Sequence, residues 1–211
     1  MTPFLLVLSS PSGGGKTTIA RRVLAARPDV GYSISATTRA MRPGEVHGKD
    51  YWFLSPEEFE GRVIAGEFLE HATYNGRRYG TLRSEVERHF AAGRHVVLDI
   101  EVNGARQVRR QLADAVLVFV VPPTGAALVG RLAARRTEDR AALDGRLAIA
   151  AEELAAVGEY DYVVVNADLE QAVREVLGIL EAEGRRVARQ DDLDIRTERL
   201  RREIAEAAQQ L

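Results

Sequence analysis

A glycine-rich segment near the start of the chain constrains the fold more than any other feature. It reads Ser10-Pro-Ser-Gly-Gly-Gly-Lys-Thr17, follows an apolar run at residues 4–8 and precedes a helical pattern at 16–26. A buried strand, such a loop and then a helix predict a P-loop, in which backbone N–H groups and the positive end of the helix surround phosphate oxygens. Ser10 replaces the first glycine of the usual pattern, and an ordinary glycine-rich turn is the alternative interpretation.

Lysine is rare in this chain, and one of its two lysines lies in the glycine-rich segment. Of the 29 basic residues only Lys16 and Lys49 are lysines, which leaves 27 arginines. A compact ammonium kept in an arginine-rich sequence indicates a position where a planar guanidinium would not fit. We expect Thr17 to offer its hydroxyl to Mg²⁺. The residues expected to bind the phosphates of ATP are Ser12, Gly13, Gly14, Gly15, Lys16, Thr17 and Thr18.

Short apolar runs alternate with helical patterns through much of the chain. The runs lie at residues 96–100, 116–121 and 162–165. They are apolar at successive positions, as strands buried on both faces should be. Helical patterns lie at 102–112, 125–135 and 140–157, and another follows Asp168. This order predicts an α/β fold with a parallel sheet of the P-loop NTPase type flanked by helices.

The segment between Tyr32 and about Ala92 follows a different pattern. Short strand-like runs occur at residues 51–54, 68–74 and 77–79. The last two runs are joined by Asn75-Gly76, which is typical of a tight hairpin turn. A helix should begin at Ser55-Pro56, because Ser caps a helix well and Pro suits its first position. We therefore interpret residues of about 35–92 as an inserted small α+β subdomain.

Composition excludes several classes of function. The chain has 211 residues, 29 Lys and Arg against 31 Asp and Glu, and no Cys. The nearly balanced charge argues against binding of nucleic acid or an anionic membrane, and the absence of Cys excludes disulfides and thiolate chemistry. No apolar run approaches the roughly 18 residues of a membrane span. We therefore expect a single, cytoplasmic domain.

Two arginines and a tyrosine follow the first helix closely. Arg39 and Arg42 precede a Pro-Gly-Glu turn, and Tyr51 follows a few residues later. Guanidinium groups match phosphate oxygens with two parallel hydrogen bonds, so these residues can clamp a second phosphate. A solvated basic loop is the alternative interpretation.

The chain resembles the guanylate kinases through motifs beyond the P-loop. They are Ser-x-Ser-x-Thr-Thr-Arg-x-x-Arg-x-Gly-Glu from residue 33, Gly-x-Asp-Tyr-x-Phe from residue 48, Gly66-Glu-Phe-Leu-Glu70, Tyr79-Gly-Thr81 and Leu98-Asp-Ile-Glu101. The resemblance spans about residues 6–180 and implies Mg²⁺-dependent transfer of the γ-phosphoryl group of ATP to GMP. It implies that the GMP phosphate contacts Arg39, Arg42, Tyr51 and Tyr79. It places guanine among Ser35, Glu70, Thr81 and Glu101, and adenine beside Asn166.

The chemistry of guanine agrees with the carboxylate at position 70. Guanine presents N1–H and N2–H donors beside its O6 acceptor, whereas adenine presents an acceptor at N1. One carboxylate satisfies both guanine donors, and hydroxyls of Ser35 and Thr81 can donate to O6. A surface strand residue is the alternative interpretation of Glu70.

Other site residues are expected at the end of a strand and in a lid. Asp99 follows a buried apolar run, at the expected end of a strand. We expect its carboxylate to lie near Mg²⁺ and the GMP site. A helix cap is the alternative interpretation. Arg131, Arg135 and Arg146, with Arg136 beside them, resemble the mobile lid of the family and are expected to stabilise the transferring phosphoryl group. A solvated arginine-rich helix is the alternative.

The resemblance divides the chain into four parts with approximate bounds. They are a core (1–34, 93–124 and 159–190), a GMP-binding subdomain (35–92), a lid (125–158) and a charged C-terminal helix (194–211). ATP and GMP are the expected partners, dGMP is an open second acceptor, and the sequence does not decide between a monomer and a homo-oligomer. Two further hypotheses stay open: a P-loop kinase for a sugar phosphate, and a non-catalytic interaction module of guanylate kinase type.

Overall fold

Strands and helices alternate through the computed structural model, which describes residues 2–74, 76–133 and 140–209, with the backbone alone at 140–142. The strands are β1 (Leu5–Ser9), β2 (Val30–Tyr32), β3 (Ala36–Thr37), β4 (Trp52–Phe53), β5 (Phe68–Tyr74), β6 (Arg77–Leu82), β7 (His95–Asp99), β8 (Val116–Val121) and β9 (Tyr162–Val165). The helices are α1 (Lys16–Ala26), α2 (Pro56–Ile64), α3 (Arg83–Ala91), α4 (Val102–Gln111), α5 (Gly125–Ala133), α6 (Arg140–Ala155), α7 (Leu169–Gly184) and α8 (Leu193–Ala208). Short 3-10 turns lie at Ala156–Glu159 and Val187–Arg189.

Five parallel strands form the central sheet in the order β2-β7-β1-β8-β9. On one face Leu6 and Leu8 pack with apolar residues of α1 and α7. On the other face Leu5 and Val7 pack with Val86 of α3 and with α4. Both faces of the central strands are therefore covered, as the continuous apolar runs predict. The edge strand β9 differs, because Val163 and Val165 are exposed. The predicted α/β fold with a parallel sheet is confirmed.

A second sheet has four strands in the order β4-β3-β6-β5, and β5 and β6 form an antiparallel hairpin. Helix α2 begins after the predicted cap Ser55, with Pro56 at its first position. In addition, Ser55 and Glu58 each accept a backbone hydrogen bond from the other. Phe59 of α2 stacks on Phe68 of β5, with ring centroids 4.5 Å apart. The predicted hairpin residue Asn75 lies outside the described residues.

Several boundaries differ from the predicted ones. Strands β1 and β7 are shifted by one residue, towards Ser9 and His95, because Ser9 pairs with Phe119 of β8 and His95 pairs with Val30 of β2. Helix α8 begins at Leu193, one residue before the predicted bound of about 194, and the Arg196 N–H bonds the Asp192 carbonyl at 2.9 Å. Strands β2 and β3 and helix α3 are absent from the prediction.

Helix α8 has no buried residue. Over the described ranges, every helix is too short or too polar to cross a membrane.

Candidate active site

The glycine-rich segment forms a tight loop between β1 and α1. The Gly14 N–H bonds the Pro11 carbonyl at 2.8 Å, and α1 begins at Lys16. Gly15 has φ 102°, and a β-carbon on it would lie 2.4 Å from Nδ2 of Asn166. Only glycine fits this position, because both the backbone angle and the close approach exclude a side chain. The predicted P-loop therefore has its expected strand, loop and helix.

Two predicted site residues, Asn166 and Arg131, stabilise the loop by hydrogen bonds to its backbone. The Gly14 carbonyl accepts hydrogen bonds from Asn166 Nδ2 at 2.8 Å and from Arg131 at 3.4 Å. Arg131 also donates to the Asn166 carbonyl at 2.8 Å. In this structure, Asn166 and Arg131 hold the backbone of the loop.

Helix α6 contacts the loop at Ser12. Arg146 donates to Ser12 Oγ at 3.1 Å, and the Ser12 N–H donates to Glu153 Oε2 at 3.1 Å. Burial raises the pKa of the Glu153 carboxyl, against the opposing effects of this hydrogen bond and of Lys16. Between the loop and α6 lies a cavity of about 620 Å³. Its lining includes Ser12, Gly13, Gly15, Lys16, Thr17, Thr18, Glu101, Arg146 and Glu153.

Asp99 lies at the carboxyl end of β7, beside the loop. Its Oδ2 accepts a hydrogen bond from the Thr17 hydroxyl at 2.6 Å, and its Oδ1 accepts one from the Tyr32 hydroxyl at 2.6 Å. Tyr32 is 40% exposed, so its burial is only partial; this partial burial, and next the charge of Asp99, raise the pKa of its hydroxyl, so that the phenol stays protonated and donates. The structure thus joins the two predicted metal-site residues, Thr17 and Asp99.

A second cavity, of about 520 Å³, contains the predicted clamp for the acceptor phosphate. Arg39 donates to both carboxylate oxygens of Glu45, at 2.7 and 3.0 Å, and its guanidinium lies 5.3 Å from the ring centroid of Tyr51. The hydrogen bond from Arg39 is the main reason why the pKa of Glu45 is lowered. The predicted residues that line this cavity are Ser35, Arg39, Arg42, Tyr51 and Tyr79.

Glu70 and Thr81 form a buried pair on the adjacent strands β5 and β6. The Thr81 hydroxyl donates to Glu70 Oε1 at 2.7 Å. This contact differs from the expectation that Thr81 donates to guanine O6, because a hydroxyl has a single proton. Glu70 is 6% exposed, and burial raises the pKa of its carboxyl.

Gly104 of α4 lies directly against this carboxylate. A β-carbon at residue 104 would be 2.8 Å from Glu70 Oε2 and 3.2 Å from Ile100 Cδ1. A glycine inside a helix costs stability, so its presence here is explained by the room that Glu70 needs.

The predicted residues therefore form three groups: the P-loop with Asp99, the phosphate clamp, and the Glu70–Thr81 pair. Glu101, predicted beside guanine, lines the loop cavity, and its charge contributes to the raised pKa of Glu70. Arg135 and Arg136 lie outside the described residues.

The sequence prediction did not identify four residues of the site. They are Tyr32, Glu45, Gly104 and Glu153. A glycine inside a helical pattern was a usable signal for Gly104. Tyr32 and Glu153 lie 67 and 141 positions from their partners Asp99 and Ser12, so only the fold brings them together, whereas Glu45 lies six positions from Arg39 in the same loop.

A comparison with family models matches residues 3–183 to the guanylate kinase family. Among similar proteins, the guanylate kinase of Symbiobacterium thermophilum is 51% identical over 185 residues, which cover 88% of each chain. The guanylate kinase of Thermotoga maritima is 46% identical over 200 residues, 95% of each chain. Among solved structures, a guanylate kinase from Anaplasma phagocytophilum is 34% identical, with a TM-score of 0.73 over 92% of each chain.

Proposed function

Because the chain belongs to the guanylate kinase family, we propose that it transfers the γ-phosphoryl group of ATP to GMP and forms ADP and GDP. The observation that carries this proposal is the buried Glu70–Thr81 pair, which lies in the same molecule as an intact P-loop. The pair supplies recognition of guanine, and the P-loop supplies the phosphoryl donor.

Guanine is selected by the carboxylate of Glu70. Its two oxygens accept the N1–H and N2–H donors of guanine, while Ser35 donates to O6. Thr81 fixes the orientation of the carboxylate, because its hydroxyl donates to Glu70 Oε1 at 2.7 Å. Adenine would place its N1 lone pair against a buried charge, which is costly.

The phosphate of GMP is bound by Arg39, Arg42, Tyr51 and Tyr79. The carboxylate of Glu45 occupies the fork of Arg39 here, with two nearly parallel hydrogen bonds. A phosphate presents the same pair of oxygens with more negative charge, and therefore competes with Glu45 for Arg39. When the GMP phosphate replaces Glu45 at Arg39, GMP is held in position for transfer.

The phosphates of ATP are bound by the N–H groups of the P-loop and by Lys16. Arg131 and Asn166 stabilise the loop through the Gly14 carbonyl. Arg146 approaches from α6 and offsets the negative charge that spreads over the transferring group. Arg135 remains a predicted member of this set.

Thr17 and Asp99 fit a magnesium ion. Both offer oxygen, the ligand type that Mg²⁺ prefers, and both lie beside the loop that would hold the phosphates. Over the described residues no group of three or more His, Cys, Asp or Glu side chains can hold a metal alone. In this proposal Mg²⁺ binds together with the nucleotide, where it would neutralise charge on the phosphate oxygens.

No side chain is required as a general base, because the attacking phosphate oxygen of GMP is ionised at neutral pH. The residues of the protein position the two substrates in line and exclude water, which are the main sources of catalysis in phosphoryl transfer. In this proposal the second sheet with α2 binds GMP, and α5 and α6 form the lid. The cytoplasmic location and dGMP as a second acceptor stay predictions.

The experiment that tests the function is an assay of ADP release with ATP and Mg²⁺. GMP, AMP, CMP, UMP and ribose phosphates are offered in parallel. Turnover with GMP alone, or with GMP and dGMP, supports the proposal. Turnover with a sugar phosphate would keep the role of the P-loop and overturn that of Glu70. Absence of turnover with every acceptor would favour the non-catalytic interaction module. Modules of that kind lack the P-loop lysine and the lid arginines, whereas Lys16 and Arg146 are present in this chain.

A further inference from the structure

Tyr32 joins the metal side of the site to the acceptor side. It is the last residue of β2, and it lines the acceptor cavity together with Arg39 and Tyr51. Its hydroxyl donates to Oδ1 of Asp99 at 2.6 Å. None of the roles assigned above to substrate-binding residues requires this hydroxyl.

The position of Tyr32 follows from the sheet. Strands β2 and β7 are parallel neighbours, and Tyr32 pairs with Val97, two residues before Asp99. The carboxyl ends of both strands therefore meet at the same edge, where a tyrosine is long enough to reach the next carboxylate.

The carboxylate of Asp99 is held at both oxygens. Oδ1 accepts from Tyr32 and Oδ2 accepts from Thr17, each at 2.6 Å. With only one of these bonds the carboxylate could rotate about its bond to Cβ. With both bonds, one defined oxygen faces Thr17 and the phosphate-binding loop. Hydrogen bonds of this kind orient metal-binding carboxylates and raise metal affinity.

We propose that Tyr32 is a positioning residue, whose hydroxyl fixes the Asp99 carboxylate so that its Oδ2 serves the divalent cation bound with the nucleotide. The inference rests on the proposed metal-dependent transfer and adds to it a residue that acts through Asp99. Since Tyr32 also lines the acceptor cavity, the orientation of the metal-side carboxylate depends on a wall of the GMP site.

The test removes only the hydroxyl, with Tyr32→Phe. Binding of Mn²⁺, used as a probe for the divalent cation, is measured by electron paramagnetic resonance in the complex of the full chain with ADP. We expect the Mn²⁺ affinity of this complex to fall about tenfold, the lower end of the usual effect of such orienting residues. Binding of ADP without metal, measured in the presence of EDTA, should be unchanged.

Tyr162→Phe is a matched control. Its hydroxyl donates to Glu183 at 2.6 Å, the same type and length of bond, but Tyr162 begins β9 and lies at the opposite edge of the sheet. This variant should leave Mn²⁺ affinity unchanged. Thermal unfolding of both variants identifies any general loss of stability.

A double-mutant cycle with Asp99→Asn shows whether Tyr32 acts through Asp99. In the Asp99→Asn background, Tyr32→Phe should weaken Mn²⁺ binding no further. An equal, additive loss in that background would overturn the inference, and so would unchanged Mn²⁺ affinity in the Tyr32→Phe single variant. Weaker GMP binding with unchanged Mn²⁺ affinity would show that Tyr32 is a wall of the acceptor cavity only.

The Mn²⁺ measurement needs no acceptor nucleotide. If Tyr32→Phe keeps its Mn²⁺ affinity while the wild-type protein phosphorylates GMP, only the role of Tyr32 is overturned. Failure of GMP turnover in the wild type would instead overturn the proposed function.

Discussion

Lys16 is the residue on which the chemistry of the P-loop depends most directly. It begins α1 and lines the loop cavity, in a chain whose other basic residues are arginines apart from Lys49. Lys16→Ala should reduce kcat about 100- to 1,000-fold, as the loss of a charge-stabilising donor does, with little change in Tm. Lys16→Arg should also lose most of its activity, because a planar guanidinium does not replace the compact point charge of an ammonium. Substantial turnover by the arginine variant would contradict this account, and Arg185→Ala, an exposed surface change, serves as control.

Glu70 should make GMP binding dependent on pH. Burial raises its pKa above the ordinary value of 4.5. As the pH falls from 7 towards this raised pKa, the Glu70 carboxylate of the empty site takes up a proton. The site then loses one acceptor for the guanine N–H groups, so KM for GMP should rise. The GMP phosphate also titrates, near pH 6, and this contribution is common to all variants. The pH dependence of KM for GMP in Glu70→Gln, which lacks the carboxylate, isolates the contribution of Glu70, and identical profiles would contradict its role.

The same substitution should separate stability from function. A group whose pKa is raised by folding destabilises the folded protein as pH increases through that pKa, so the buried charge of Glu70 lowers stability at pH 7. Glu70→Gln removes the charge and keeps an oxygen that accepts from Thr81. We expect a higher Tm at pH 7 without ligand, no such gain at pH 4, and weaker selection of GMP over AMP. Differential scanning fluorimetry at the two pH values tests the first two expectations.

At the scale of elements, the packing of α4 against β5 determines the space around Glu70. A β-carbon on Gly104 would lie 2.8 Å from Glu70 Oε2. Gly104→Ala should displace the carboxylate and reduce kcat/KM for GMP about 10- to 100-fold, which is the effect expected from a small misplacement in a catalytic site. KM for ATP should change little.

Gly178→Ala provides the control for that prediction. Gly178 also lies within a helix, α7, and a β-carbon there would meet open space. This variant should gain about 0.5–1 kcal/mol of stability and keep its activity. Equal activity of the two alanine variants would contradict the explanation of Gly104.

Elements differ in how far the sequence predicts them. Strands β1, β7 and β8 and the edge strand β9 are predicted to within one residue, because short apolar runs bounded by turn residues favour strands over helices. Strands β2 and β3 have three and two residues, too few to show a period. Helix α3 is absent from the prediction although it buries Val86, because four of its nine residues are Arg or Glu and it follows β6 without a capping side chain.

At the scale of the whole molecule, most individual site residues were predictable and their contacts were not. The predicted residues of the P-loop and the phosphate clamp line two cavities. The partnership of Asp99 with Tyr32, and of Ser12 with Glu153, joins residues 67 and 141 positions apart. Separations of that size depend on tertiary packing, which a local sequence pattern does not report.

The terminal helix α8 should be dispensable for stability. It has no buried residue. Removal of residues 193–211 should shift Tm by less than about 2 °C, which corresponds to roughly 0.5–1 kcal/mol in a protein of this size. Turnover with GMP should be unchanged. A large loss of Tm, measured by calorimetry, would show that the helix has a stabilising partner, and a concentration-dependent Tm of the full chain would identify a second copy.

The central claim is that the buried carboxylate of Glu70 recognises the N1–H and N2–H groups of guanine. The ratios of kcat/KM for GMP, IMP and AMP test this claim most directly. IMP lacks only the N2 amine of guanine. Loss of one hydrogen bond to a charged group costs about 1.5–3 kcal/mol, so IMP should be about 10- to 100-fold poorer than GMP, and AMP poorer still. The difference between GMP and IMP should shrink in Glu70→Gln. Equal kcat/KM for GMP and IMP in the wild type, or preference for AMP, would contradict the account.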